Sequence, residues 1–244
     1  MSPTKPEVVK REAVSPRDIA TLLRGDVDRI STWSAAWDIR RLALQITVII
    51  AGAGSYGAAM GWWRDPQQAL FTAIKLPLII LLTTIGNALL NAMLAPLLGL
   101  NLPFRQSFAA ILMSCTIAAT ILGAFSPLMA FLVWNAPAMS SKTPAVGVYN
   151  FILLAHVTAI ALAGITGNAR LFQLLHRLGG SRRVAQTVLI AWLAGNLFLG
   201  SQLSWILRPF VGSPQLPVQF LRPSAFHGNF YETVFRTLGQ VFHH

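Results

Sequence analysis

Hydrophobic and polar positions along this chain fall in long blocks. Charged residues bracket five neutral segments: 42–63 between Arg41 and Arg64, 76–104 between Lys75 and Arg105, 106–141 between Arg105 and Lys142, 143–169 between Lys142 and Arg170, and 184–207 between Arg183 and Arg208. Each is at least as long as the roughly 20 residues with which a helix crosses a bilayer core. The blocks predict transmembrane helices at about 43–62, 70–99, 106–134, 149–176 and 184–207. Gly123 and Pro127 lie inside the third. Packed neighbours tolerate such residues as a kink in one span, and a hairpin is the alternative, so the count lies between four and six.

The flanks carry a different pattern. Before the first span, Ile19, Leu22, Leu23, Val27, Ile30, Trp33 and Trp37 recur at roughly helical spacing, with Arg17, Arg24, Asp28 and Arg29 mostly between them. Ser15-Pro16 reads as an N-cap with proline at the first helical position, Asp18 complements the dipole, and Gly25 divides the segment in two. This predicts an amphipathic segment lying on the membrane surface, or packed on another protein's helix. After the fifth span, Pro209, Pro214, Pro217 and Pro223 forbid a continuing helix. Phe230, Val234, Phe235, Leu238, Val241 and Phe242 then mark a short amphipathic helix. The organisation is therefore an interfacial segment over 1–42, a transmembrane domain over 43–207 and a proline- and aromatic-rich surface tail over 208–244.

Composition excludes the other classes. Of 244 residues, 54% are hydrophobic and 11% charged, and mean hydropathy is +0.57. An ordinary soluble domain has about 25% charged residues. The fold class is all-α: a polytopic bundle of about five transmembrane helices with interfacial helices at both ends. The net charge of +11 reflects loop arginines near anionic lipid rather than nucleic-acid binding. With no apolar run and cleavage site in the first forty residues, the first span is expected to serve as the anchor. Basic residues near helix ends set orientation. Arg29, Arg40, Arg41, Arg105, Arg170, Arg177, Arg182 and Arg183 on one side outnumber Arg64, Lys142, Arg208, Arg222 and Arg236 on the other. That predicts an N-terminus in the cytoplasm and a C-terminus across the inner membrane of a bacterium.

Candidate chemistry is sparse. No Asp or Glu lies between Asp65 and Glu232, so a paired-carboxylate relay or aspartyl protease is excluded. Gly54-Ser55-Tyr56-Gly57 fails both the nucleophile-elbow pattern and that of a membrane serine protease. There is no His-x-x-x-His or Cys-x-x-Cys, the single Cys115 forms no internal disulfide, and His243-His244 implies no metal site. No catalytic residue, cofactor or metal is therefore expected. The intramembrane polar residues are Lys75, Thr84, Asn87, Asn91, His156 and Asn196. Lys75 is expected to snorkel to the headgroups, with an anion site as the alternative. Thr84, Asn87 and Asn91 share a helix face, suited to interhelical hydrogen bonds or to a solute path. Small residues repeat at helical spacing: Ala53, Gly57 and Gly61; Ala159, Ala163 and Gly167; Ala191 and Gly195. Such faces let helices approach closely, within the chain or across a subunit contact. In the tail, Arg208, Phe210, Phe220, Arg222, Phe226, Phe230 and Tyr231 are candidates for interfacial anchoring or for docking a partner.

The order of features resembles bacterial members of the Yip1-like family of five-span membrane proteins. The first span ends in YGAAMG (56–61), the second opens with AIKLP (73–77), and APLLGLNLPFRQSFA (95–109) leads through a glycine-bearing turn into the third. The resemblance covers roughly 43–207. The DLYGP-type motif of the eukaryotic branch is absent. The segments LSWILRPFVGSP (203–214) and GNFYETVF (228–235) look like a recurring element of bacterial membrane proteins. The resemblance implies a non-enzymatic role and carries over no site residue. The expected function is a scaffold or accessory subunit of an inner-membrane assembly, with lipid bilayer and other subunits or a second copy as partners. A small-solute or ion transporter or channel using Lys75 and the Thr84/Asn87/Asn91 face is the alternative, and a lipid enzyme using His156 or the Arg208/Arg222 region comes third.

Overall fold

The computed structural model describes residues 15, 17–100, 102–137, 146–212 and 217–234. Lys142, Pro214, Phe235, Arg236, Leu238, Val241, Phe242, His243 and His244, to which the sequence assigned roles, lie outside the described residues, as does Pro16. Among the described residues these helices follow in order: α1 (Arg17–Arg24), α2 (Val27–Ala35), α3 (Ile39–Trp62), α4 (Pro66–Leu97), α5 (Phe104–Trp134), α6 (Val146–Gly179) and α7 (Arg182–Leu207). No strand occurs among the described residues. Helices α3 to α7 are each long and apolar enough to cross a membrane, which makes five candidate spans. α5 runs unbroken through Pro127, so the hairpin alternative falls.

Local chemistry sets the helix ends. Asp26, Asp38 and Asp65 each cap a helix by accepting a backbone N–H, from Arg29, Arg40 and Gln67 respectively. Pro66 occupies the first turn of α4, which therefore starts four residues before the predicted 70. The turns after α4 and α6 pass through Gly99 and Gly180 at φ +86° and +60°, a region where a Cβ is strained. At about 1.5 Å per residue, the 32 residues of α4 are longer than the hydrocarbon core requires, so α4 tilts or projects past it.

The five long helices form a closed ring in the order α3–α4–α7–α6–α5, with α4 and α5 also touching across it. α1 and α2 lie against one end of α5 and α6. Leu22 and Ile30 are buried there with Leu171, Leu174 and Leu175. The amphipathic N-terminal segment thus packs on its own bundle, as two helices broken at Gly25 (φ +76°). Arg41 ties α3 to α1 through Asp18 at 3.5 Å and lies 4.3 Å over Trp33. Arg170 donates to the Leu23 carbonyl at 3.1 Å, and Arg177 pairs with Asp28 at 3.0 Å. The opposite end carries the turn after α3, where Trp63 Nε1 donates to the Pro137 carbonyl at 3.0 Å, and the C-terminal tail. In that tail the backbone is helical again over 230–234.

Candidate functional site

Two separate faces of α4, about a third of a turn apart, carry buried polar side chains. Gln68, Thr72 and Lys75 lie at i, i+4 and i+7, and Thr84, Asn87 and Asn91 follow at i, i+3 and i+7. All six are buried. The deeper trio joins α4 to its neighbours. Asn87 Nδ2 donates to Asn196 Oδ1 at 2.8 Å and to the Trp192 carbonyl at 3.2 Å, both on α7. Asn91 Nδ2 donates to Asn87 Oδ1 at 3.0 Å. Thr84 Oγ1 donates to the Ile80 carbonyl at 2.7 Å and lies 3.3 Å from Cys115 Sγ on α5. Gly195 belongs to the same contact, since a Cβ there would sit 2.5 Å from Asn87 Oδ1. Asn91 Oδ1 and Trp192 Nε1 stay without a protein partner.

The upper trio holds the tail. Gln68 Nε2 donates to the Pro209 and Phe210 carbonyls, both at 2.9 Å. Thr72 Oγ1 bonds to the Phe210 carbonyl at 2.8 Å. Lys75 Nζ donates to the Pro209 carbonyl at 3.0 Å and lies 5.2 Å from the ring centre of Phe220, which meets Phe71 edge to face. The reason is the backbone accounting of a proline-broken segment. Past α7 the chain has carbonyls without helical partners, and in an apolar setting these must find donors. Lys75 is 0% exposed. The snorkelling expectation is therefore corrected: the tail folds over the ammonium and withdraws it from the headgroups. Gln68 and Thr72 were not singled out from the sequence, although their spacing with Lys75 already marked a polar stripe.

The other tail residues divide. Arg208 lies 3.5 Å over Trp205 and donates to its carbonyl at 2.9 Å. Burial, and second the positive charge of Arg222, lower the Arg208 pKa below its ordinary value. Phe210 packs with Val211 against the cluster around Tyr56 and Met60. Tyr231 stacks on Phe198 and shares a 2.9 Å hydrogen bond with Ser201. Phe226 is 75% exposed, and Leu221, Phe230 and Val234 are also exposed. Among the described residues, much of the tail is therefore engaged with its own bundle, and these four are its large exposed apolar side chains.

His156 on α6 is buried, and its Nδ1 lies 2.9 Å from the Tyr56 hydroxyl on α3. The rings meet edge to face, and Nε2 is unpartnered. The small-residue faces all serve contacts within the chain. A Cβ on Gly57 or Gly61 would lie 2.5 Å from the Thr72 or Gln68 carbonyl. Ala53 is buried against α5 with Leu112 and Ala119. Ala159 and Ala163 pack with Tyr56, Leu122 and Met129, and a Cβ on Gly167 would lie 2.7 Å from the Ser114 carbonyl. Ala191 packs on the cluster around Trp192. Gly52 and Gly123, which the sequence spacing did not single out, also sit in a close approach of α3 and α5: a Cβ on Gly52 would overlap the Ala119 carbonyl, and one on Gly123 would lie 2.9 Å from Gly52 Cα.

One concave surface, beside Gly25 and Gly180, is lined by Arg170, Gln173, His176 and Arg177. A groove of about 300 Å³ between α5 and α6 is lined by Phe125, Leu128, Met129, Phe151 and Leu154, with Thr158 as its one hydroxyl. No group of three His, Cys, Asp or Glu residues suited to a metal occurs among the described residues. Comparisons with family models, with curated proteins and with solved structures find no match. The structure defines a class, a polytopic all-helical membrane protein, and the functional reading rests on the geometry above.

Proposed function

We propose that this protein is a non-enzymatic scaffold or accessory subunit of a larger assembly in a bacterial inner membrane, its N-terminus cytoplasmic and its C-terminus on the far side. One observation carries the reading: the intramembrane polar groups are largely engaged with each other. Asn87, Asn91 and Asn196 bond among themselves, and Gln68, Thr72 and Lys75 hold the tail. A solute path would need such groups facing a lumen, which argues against the transporter alternative. The resemblance to Yip1-like proteins supports a non-catalytic role, and the exposed apolar residues around Phe226 offer a contact for a partner.

The test is extraction from native membranes in a mild detergent, with size determination and mass spectrometry of the particle. A stoichiometric complex that F226D dissolves, while membrane insertion persists, is the expected result. Migration as a lone monomer overturns the reading. In that case solute flux with N87L in parallel becomes the next measurement.

A further inference from the structure

All eight acidic residues but one lie at or before Asp65, and Glu232 is the next. The tail end of the bundle therefore gathers cations with few carboxylates to answer them. Lys75 is buried under the tail. Arg208 immediately precedes the Pro209 whose carbonyl Lys75 contacts, and Arg222 comes two residues after the Phe220 that covers Lys75. Among the described residues no carboxylate comes within ion-pair distance of any of the three; the ion pairs present belong to Asp18, Asp26 and Asp28 at the other end. Asp65 serves as the cap of α4.

Such an arrangement is costly as it stands. A buried ammonium whose contacts are one carbonyl and one aromatic ring, with an arginine one or two residues from each, lacks the counter-charge that buried ions require. Within the chain, nothing between Asp65 and Glu232 can supply it. Guanidiniums present paired donors matched to the oxygens of a phosphate. Beside the cluster, Leu70, Ile74 and Leu78 form an exposed apolar stripe on α4, a track on which acyl chains can lie.

We infer that Arg208 and Arg222, backed by Lys75, bind one phosphate group, that of an anionic phospholipid whose chains follow α4. Arg208 and Arg222 supply the direct hydrogen bonds, and the buried Lys75 supplies charge. The site is independent of the scaffold reading, since its test uses the purified full chain alone.

The experiment measures the thermal unfolding midpoint in a neutral maltoside detergent while titrating phosphatidylglycerol, headgroup-free diacylglycerol or inorganic phosphate. Phosphatidylglycerol is expected to raise the midpoint saturably and diacylglycerol to leave it unchanged. R222Q should need about tenfold more phosphatidylglycerol, the loss of one charge-assisted contact. R183Q, at the opposite end, should behave as wild type. K75M should weaken the response too, and R208Q serves where K75M fails to fold. A rise with inorganic phosphate as well supports a phosphate site that does not require the lipid's chains. Failure of both phosphate-bearing compounds, an equal response to diacylglycerol, or a loss in R183Q matching that in R222Q overturns the proposal.

Discussion

A carbonyl oxygen 2.5 Å from where a Cβ would stand leaves no choice of residue at Gly57 or Gly61. At these two positions α3 and α4 meet backbone to backbone, the close approach on which membrane helices rely where lipid removes the hydrophobic drive to associate. G57L should cost roughly 1–3 kcal/mol or more through overpacking, read as a lower unfolding midpoint in detergent. Gly164 has nothing within 4 Å of its Cβ position, so G164L should leave the midpoint unchanged. Asn87 gives a second case at this scale. N87L removes its bonds to Asn196, Asn91 and the Trp192 carbonyl. At about 0.6–2 kcal/mol for interhelical polar contacts in membranes, the midpoint should again fall, and N196L combined with N87L should cost less than the sum of the singles. The polar stripe on α4 was visible in the sequence because amides are rare among apolar residues. Its partners were not, because hydrogen bonds to a carbonyl such as Trp192's depend on which helices are neighbours.

Among the elements, the N-terminal pair α1–α2 is held by few contacts that each cross a long stretch of chain. Arg170 reaches the Leu23 carbonyl beside Gly25, and a Cβ on Gly25 would overlap that guanidinium. R170A should loosen both helices by about 1 kcal/mol. Hydrogen exchange in 17–35 is then expected to quicken about fivefold while α3 to α5 stay protected. An unchanged rate would mean that the apolar contacts of Leu22 and Ile30 alone hold the clamp. The periodicity of Ile19, Leu22 and Ile30 predicted these helices and Gly25 their break. The face they would cover was beyond it, because lipid, a partner helix and the chain's own α5–α6 end offer the same apolar contact. The C-terminal tail makes a parallel point: its aromatic residues read as outward anchors, yet Phe210, Phe220 and Tyr231 turn inward. Unpaired carbonyls at Pro209 and Phe210 find donors on α4, and the aromatic rings are carried inward with them.

For the whole molecule, the closed ring separates two ends of different charge character. One carries Arg29, Arg41 and Arg177 paired with aspartates, and the other carries Lys75, Arg208 and Arg222 with no ion pair among the described residues. Five spans put these ends on opposite sides of the bilayer. In a C115A background, single cysteines at Ser31 and at Phe226 should react with an impermeant thiol reagent from opposite sides, Phe226 from outside intact cells. Labelling of both from one side would refute the five-span topology, and labelling of Ser31 from outside would reverse the proposed orientation. Residue order alone determined the class, a span count of about five and the N-terminal helices, since apolar runs of sufficient length and the placement of proline, glycine and charge are local properties with few physical solutions; the unbroken α5 removed the hairpin alternative. Only the tertiary structure decided which polar groups meet, that the tail covers Lys75, and that the small-residue faces serve this chain. Those outcomes depend on the order of helices around the ring, which hydropathy does not encode because one apolar helix face attracts another without regard to identity.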